Sequence, residues 1–147
     1  MNNTNAKTYD QDFYAWAIKN AKLLREGKLS EIDGEHIAEE LEDVGKSERR
    51  ALESHLRNVT LHLLKWQFQP GLRGVSWRQS IRNGRIAIDK ILYDSPSLKG
   101  SLPAMLISEY PPARADAIDE TGLIETIFPQ GCPFSLEQVL DHTFWPD

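Results

Sequence analysis

One long helical stripe constrains the fold more than any other feature of this sequence. From about Glu35 to Gln69, the residues Ile37, Leu41, Val44, Leu52, Leu56, Val59, Leu63 and Trp66 recur in a single phase at helical spacing. Asp33 stands where an N-cap belongs, and Pro70-Gly71 ends the run. Gly45 falls inside it and Ser47 offers a second start, so a kink at Gly45 is the alternative to an unbroken helix. Unbroken, this helix is roughly 50 Å long at about 1.5 Å per residue.

The remaining pattern is also helical, in shorter pieces. A first helix starts near Thr8 or Asp10 and stops at Gly27, with Phe13, Trp16, Ala17, Leu23 and Leu24 on one face and Asn20 interrupting it. A third starts at Ser76, with Gln79 at capping-box spacing. It buries Trp77, Ile81, Gly84, Ile88, Ile91 and Leu92, and closes at Asp94-Ser95-Pro96. Because proline disfavours helix at the residue before it, Pro111-Pro112 splits the next stretch into Leu102–Tyr110 and Ala113–Thr121, with Gly122 as end cap. Ser135 and Gln138 repeat the capping-box spacing for a last short helix, and no segment alternates as a strand does. The expected fold is all-α: a helical bundle built on one long central helix with shorter C-terminal helices. A disordered tail over residues 1–8 precedes a single helical domain over 9–147.

Composition narrows the function classes. With 40% hydrophobic and 27% charged residues the chain reads as globular. A net charge of −5 argues against general nucleic-acid binding, which draws on excess Lys and Arg. Cys132 is the only cysteine, so neither an intrachain disulfide nor a cysteine-based zinc site is available. A polar N-terminus, no apolar run of the ~18 residues a membrane span needs, and the lone thiol together imply a cytoplasmic, soluble protein.

Several stretches carry a resemblance. Tyr9-Asp10-Gln11-Asp12-Phe13-Tyr14-Ala15-Trp16, Glu39-Glu40-Leu41-Glu42-Asp43 and the run from Gly45 to Ser54 resemble the bacterial domain of unknown function 29 family. So do His62-Leu63-Leu64-Lys65-Trp66, Gln69-Pro70, Ser76-Trp77, Asp94-Ser95-Pro96-Ser97-Leu98 and Thr121-Gly122-Leu123. The resemblance spans about residues 9 to 145. It implies an all-helical domain and carries over no catalytic residue. Pro111-Pro112 departs from the more continuous helix of the family pattern.

Three groups of residues suggest chemistry. Glu48, His55 and His62 stand at seven-residue steps within the stripe of the long helix, and a carboxylate with two imidazoles suits a ligand, a metal or acid–base work. Seven residues span about 10 Å, however, so one metal needs partners from another helix. His36 and Glu39 have the i, i+3 spacing of helical metal sites, but lie toward the polar side. The acidic group Glu35, Glu39, Glu40, Glu42 and Asp43 points in several directions, suiting a solvated face or a docking surface for a basic partner. Arg78, Arg82 and Arg85 line one flank of the third helix beside Trp77, a pattern of nucleic-acid interfaces and also of interhelical ion pairs. Lys65, between Leu64 and Trp66, reads as a snorkelling stem, and Trp16, Trp66 and Trp77 as core.

Gly-rich phosphate loops, nucleophile elbows and Cys–His pairs are absent, and no cofactor is expected. The expected function is a non-enzymatic protein-interaction or oligomerisation module, with a homo-oligomer or a protein partner. The alternatives are a metal- or ligand-binding protein or enzyme using Glu48, His55 and His62, and nucleic-acid binding through the arginine row.

Overall fold

Helix-terminating residues divide the chain into its elements, as a computed structural model of residues 3–147 shows. The helices are α1 (Asn3–Gln11), α2 (Phe13–Arg25), α3 (Gly34–Phe68), α4 (Val75–Asp94), α5 (Leu102–Thr121) and α6 (Leu136–Leu140). Short 3-10 segments cover Pro70–Leu72, Pro96–Ser101 and Glu125–Ile127, and no strand occurs among the described residues. The all-α class and the long central helix are thus as expected.

Local chemistry accounts for most boundaries. Asp12 caps α2 by accepting from the Ala15 N–H at 3.0 Å. Gly27 and Gly122, at φ of 72° and 68°, take the left-handed conformation that follows a helix end. Ser135 and Gln138 form the expected capping box, each side chain accepting from the other's backbone N–H. At α4 the expected box at Ser76 is not used: the helix starts one residue earlier, behind Gly74 and without a side-chain cap.

One expectation is corrected. The helix expected to break at Pro111-Pro112 runs on as α5, because its buried face continues across the prolines through Tyr110, Ala113 and Ala117. Burial there outweighs the two backbone hydrogen bonds that proline forfeits. Asn3–Gln11 forms the helix α1, and Asn5 within it is fully buried against Asn20.

Contacts gather the chain into two compact units, one ending at Ser47 and the other Glu48–Asp147, where one domain was expected over 9–147. The C-terminal unit holds a core of Leu52, Leu56, Val59, Leu63, Ile81, Ile88, Met105, Tyr110, Phe128 and Val139, among others. Within it α3 and α4 approach closely at Gly84, where an added Cβ would stand 2.5 Å from Val59 Cγ2. The N-terminal unit comprises α1, α2 and the start of α3, and rests on side-chain hydrogen bonds and aromatic contacts. No helix among the described residues is long and apolar enough to cross a membrane.

Candidate interaction site

The apolar stripe of α3 is used unevenly. From Leu52 to Trp66 its members are buried: Leu52, Leu56, Val59 and Leu63 at 0% exposure, Trp66 at 9%. Leu41 and Val44 occupy the same phase but are 68% and 67% exposed. An isolated exposed leucine is ordinary; two successive members of a stripe left uncovered make a face. In the N-terminal unit this face forms one wall of an apolar groove of about 210 Å³, with Ile37, Leu41 and Val44 on α3 and Trp16, Ala21 and Leu24 on α2.

A polar network holds the groove walls in place. Asn20 exchanges amide hydrogen bonds with Asn5, donates to the Trp16 carbonyl at 2.8 Å and accepts from the Asp33 N–H at 2.9 Å. Asp33 accepts from the Trp16 indole N–H at 3.0 Å and from His36 Nδ1–H at 2.6 Å. Burial pulls the Asp33 carboxyl upward, but the bonds from His36 and Trp16 outweigh it and hold the group below its ordinary range. The same bond to Asp33 raises the His36 imidazole above its usual value. The His36 ring stacks on Tyr9, with centroids 3.9 Å apart. The Tyr9 hydroxyl donates to Glu40, which pushes the phenol up to about 12. Charge-assisted bonds of this kind are the stronger ones, so α2 and the start of α3 are pinned at several points.

Electrostatics give the groove a sign. The first 47 residues hold ten Asp and Glu against six Lys and Arg, a net −4 of the chain's −5. Glu40 lines the groove, while Glu39 and Asp43 are exposed on the same stretch of α3.

The other candidates are placed differently. Glu48, His55 and His62 are each half-buried on α3 and do not converge. No group of three His, Cys, Asp or Glu suited to holding a metal occurs among the described residues. His55 borders a polar depression of about 390 Å³ with Arg57, Asn58 and Asp116. His62 turns back on its own helix, donating to the Asn58 carbonyl at 2.8 Å, and burial lowers its pKa. The arginine row also separates. Arg78 and Arg82 are exposed, and the Arg78 guanidinium lies 6.0 Å from the Trp66 ring centre. Arg85 is only 1% exposed and donates to the carbonyls of Val139, Gln138 and Phe144 at 2.8–3.1 Å. It therefore clamps the C-terminal segment onto α4 and offers nothing to an outside partner. Lys65 is buried and paired with Glu120 at 3.3 Å, its ammonium 4.9 Å from the Trp77 ring centre, where a snorkelling stem was expected.

Sequence reasoning passed over Tyr9 and the Asp33–His36 pair as functional groups. The available signal was the histidine three residues beyond an aspartate N-cap. A family model described as domain of unknown function DUF29 matches residues 8–145. The chain belongs to this family. The match takes in both units, and so both the open and the covered stretch of the DUF29 stripe. No curated protein and no solved structure matches the chain.

Proposed function

We propose that the protein is a non-enzymatic interaction module whose N-terminal unit receives an amphipathic helix with basic flanks from a protein partner. The observation that carries this reading is the exposure of Leu41 and Val44 on a stripe whose later members are fully buried. A groove between two helices is the geometry into which an amphipathic helix lays its apolar face. The occupant's charge follows from the acidic balance around it: basic flanks gain attraction and acidic ones meet repulsion from Glu39, Glu40 and Asp43. The same charge disfavours a second copy of this unit as occupant. The network around Asp33 and Asn20 supports the reading further, since a preorganised groove loses less entropy on binding.

The test uses two labelled synthetic helices with the same leucine face, one flanked by lysines and the other by glutamates, followed by fluorescence anisotropy. The lysine peptide should bind at least ~10-fold more tightly, about 1.4 kcal/mol, with an affinity that falls as salt rises. Leu41→Ser with Val44→Ser should abolish its binding. Equal binding of both peptides, or binding unaffected by the double substitution, overturns the reading. Sedimentation equilibrium on the protein alone supplies a further arm: a dimer dispersed by the same substitutions would make the occupant a second copy.

A further inference from the structure

We propose that the C-terminal unit binds a small zwitterion of the α-amino acid class, with a short aliphatic side chain, in the polar depression between α3 and α5. Two ion pairs define the facing surfaces. Arg57 of α3 meets Glu109 of α5 at 3.8 Å, and Lys65 of α3 meets Glu120 of α5 at 3.3 Å. Residues four or seven apart on a helix share a face. Asp116 stands seven residues after Glu109 and four before Glu120, so it lies on the flank of α5 that these pairs turn toward α3. By the same spacing Ser54, Asn58 and Leu61 share the flank of α3 that carries Lys65. The pairs occur in the same order along both helices, which sets Asp116 opposite the stretch between Arg57 and Lys65.

Of these three carboxylates, Asp116 alone has no cation among the described residues. It borders a depression of about 390 Å³ with Ser54, His55, Arg57, Asn58 and Leu61, within the ~300–1,000 Å³ range of small-molecule sites. The α3 wall is equally unsatisfied. Arg57 meets Glu109 beyond hydrogen-bonding distance, so its guanidinium N–H groups donate to no acceptor among the described residues. At Asn58 it is the backbone carbonyl that accepts, from His62, and the side-chain amide is left over. No ion pair joins Arg57 to Asp116, so opposite charges border one space without neutralising each other. A zwitterion satisfies both: its carboxylate accepts from Arg57 and Asn58, and its ammonium donates to Asp116. A plain amine would leave the guanidinium without an acceptor, and a plain carboxylate would meet repulsion from Asp116 and Glu109. Leu61, only 7% exposed, supplies the apolar part of the lining and suits a short aliphatic side chain. This site is independent of the groove in the N-terminal unit.

The experiment titrates the full chain with L-valine and with isovalerate and isobutylamine, which keep its carbon skeleton but lack the ammonium and the carboxylate respectively, followed by amide NMR shifts. L-Valine should cause saturable shifts confined to residues 54–61 and 113–117, with Kd between about 10 μM and 1 mM for so small a ligand. Each analogue should bind at least ~10-fold more weakly, the loss of one charge-assisted hydrogen bond. Asp116→Ala alters an exposed side chain in favour of a good helix former, so the fold is not at risk. In that variant L-valine and isovalerate should bind alike, while L-valine keeps its preference over isobutylamine. Absence of saturable shifts at these residues overturns the site. Isovalerate binding as tightly as L-valine before substitution, or a preference over it that survives Asp116→Ala, overturns the role of Asp116. Isobutylamine binding as tightly as L-valine overturns the role of Arg57, and with it the zwitterion.

Discussion

Asn5 and Asn20, fifteen residues apart, exchange two amide hydrogen bonds of 2.9 and 2.8 Å, and both are buried. Asn20 is the polar interruption in the apolar face of α2, and it also accepts from the Asp33 N–H. Replacing it with alanine withdraws a partner from Asn5 and from Asp33 together. Each polar group so deprived costs about 1–3 kcal/mol, so Asn20→Ala should weaken the N-terminal unit by about 2–6 kcal/mol. Hydrogen exchange would show the α1 amides losing protection while those of α4 and α5 keep theirs. Unchanged protection in α1 would mean that the pair does not hold that helix.

Two histidines should titrate on opposite sides of the ordinary value of 6.5. His36 is raised by its hydrogen bond to Asp33, with smaller support from the charges of Asp33, Glu39 and Asp10. A raised folded-state pKa contributes stability that is fully present below the unfolded value and is lost as pH rises through the folded one. The His36 contact should therefore weaken above pH 6.5, loosening its stack on Tyr9. His62 is lowered mainly by burial, so its burden falls on the acid side, where the unfolded chain takes up the proton more readily. NMR titration of the two imidazoles checks this, with His36→Gln and His62→Gln assigning the signals. A His36 midpoint at or below that of His62 would contradict the assignment of causes.

The long helix was legible because periodicity records which residues avoid water, and Leu41 obeys it as well as Leu56 does. Periodicity does not record what covers them. The difference between 68% exposure at Leu41 and none at Leu56 depends on which other elements pack against each stretch. Asn5 was hidden for a related reason: a polar stretch looks solvated, and one amide pair across fifteen residues leaves no repeating trace. Arg85 belonged to a plausible row on one flank of α4, yet its three acceptors come from Gln138, Val139 and Phe144, more than fifty residues away. At Pro111-Pro112 the local rule was sound and tertiary burial of Tyr110, Ala113 and Ala117 overrode it. The caps at Gly27, Gly122 and Ser135 were read correctly because each is satisfied within a few residues.

Gly84 should prove a packing requirement. A methyl group there would stand 2.5 Å from Val59 Cγ2, far inside the ~3.5–4.0 Å of a favourable carbon contact. Alanine gains up to about 1 kcal/mol in helix propensity over glycine, but overpacking costs about 1–3 kcal/mol. Gly84→Ala should therefore destabilise the C-terminal unit modestly, by about 1 kcal/mol net. Val59→Ala costs stability alone by opening a cavity, yet it makes room for the new methyl. Urea unfolding of both single variants and the double should show a favourable coupling of at least about 0.5 kcal/mol. Simple additivity would mean that the helices adjust their separation instead.

The clearest separation of buried core from exposed apolar face lies within the stripe of α3 itself. Leu56→Ala removes a fully buried side chain and should cost about 2–5 kcal/mol through lost burial and the cavity left behind. Leu41→Ser and Val44→Ser alter residues already more than two-thirds exposed and should shift stability by no more than ~0.5 kcal/mol each. The same two substitutions should nevertheless abolish binding of the lysine-flanked helix, which Leu56→Ala leaves intact wherever the protein stays folded. Urea midpoints and peptide anisotropy on the three variants measure both axes. If Leu41→Ser proves as destabilising as Leu56→Ala, Leu41 is already covered in solution and the groove is closed to a partner.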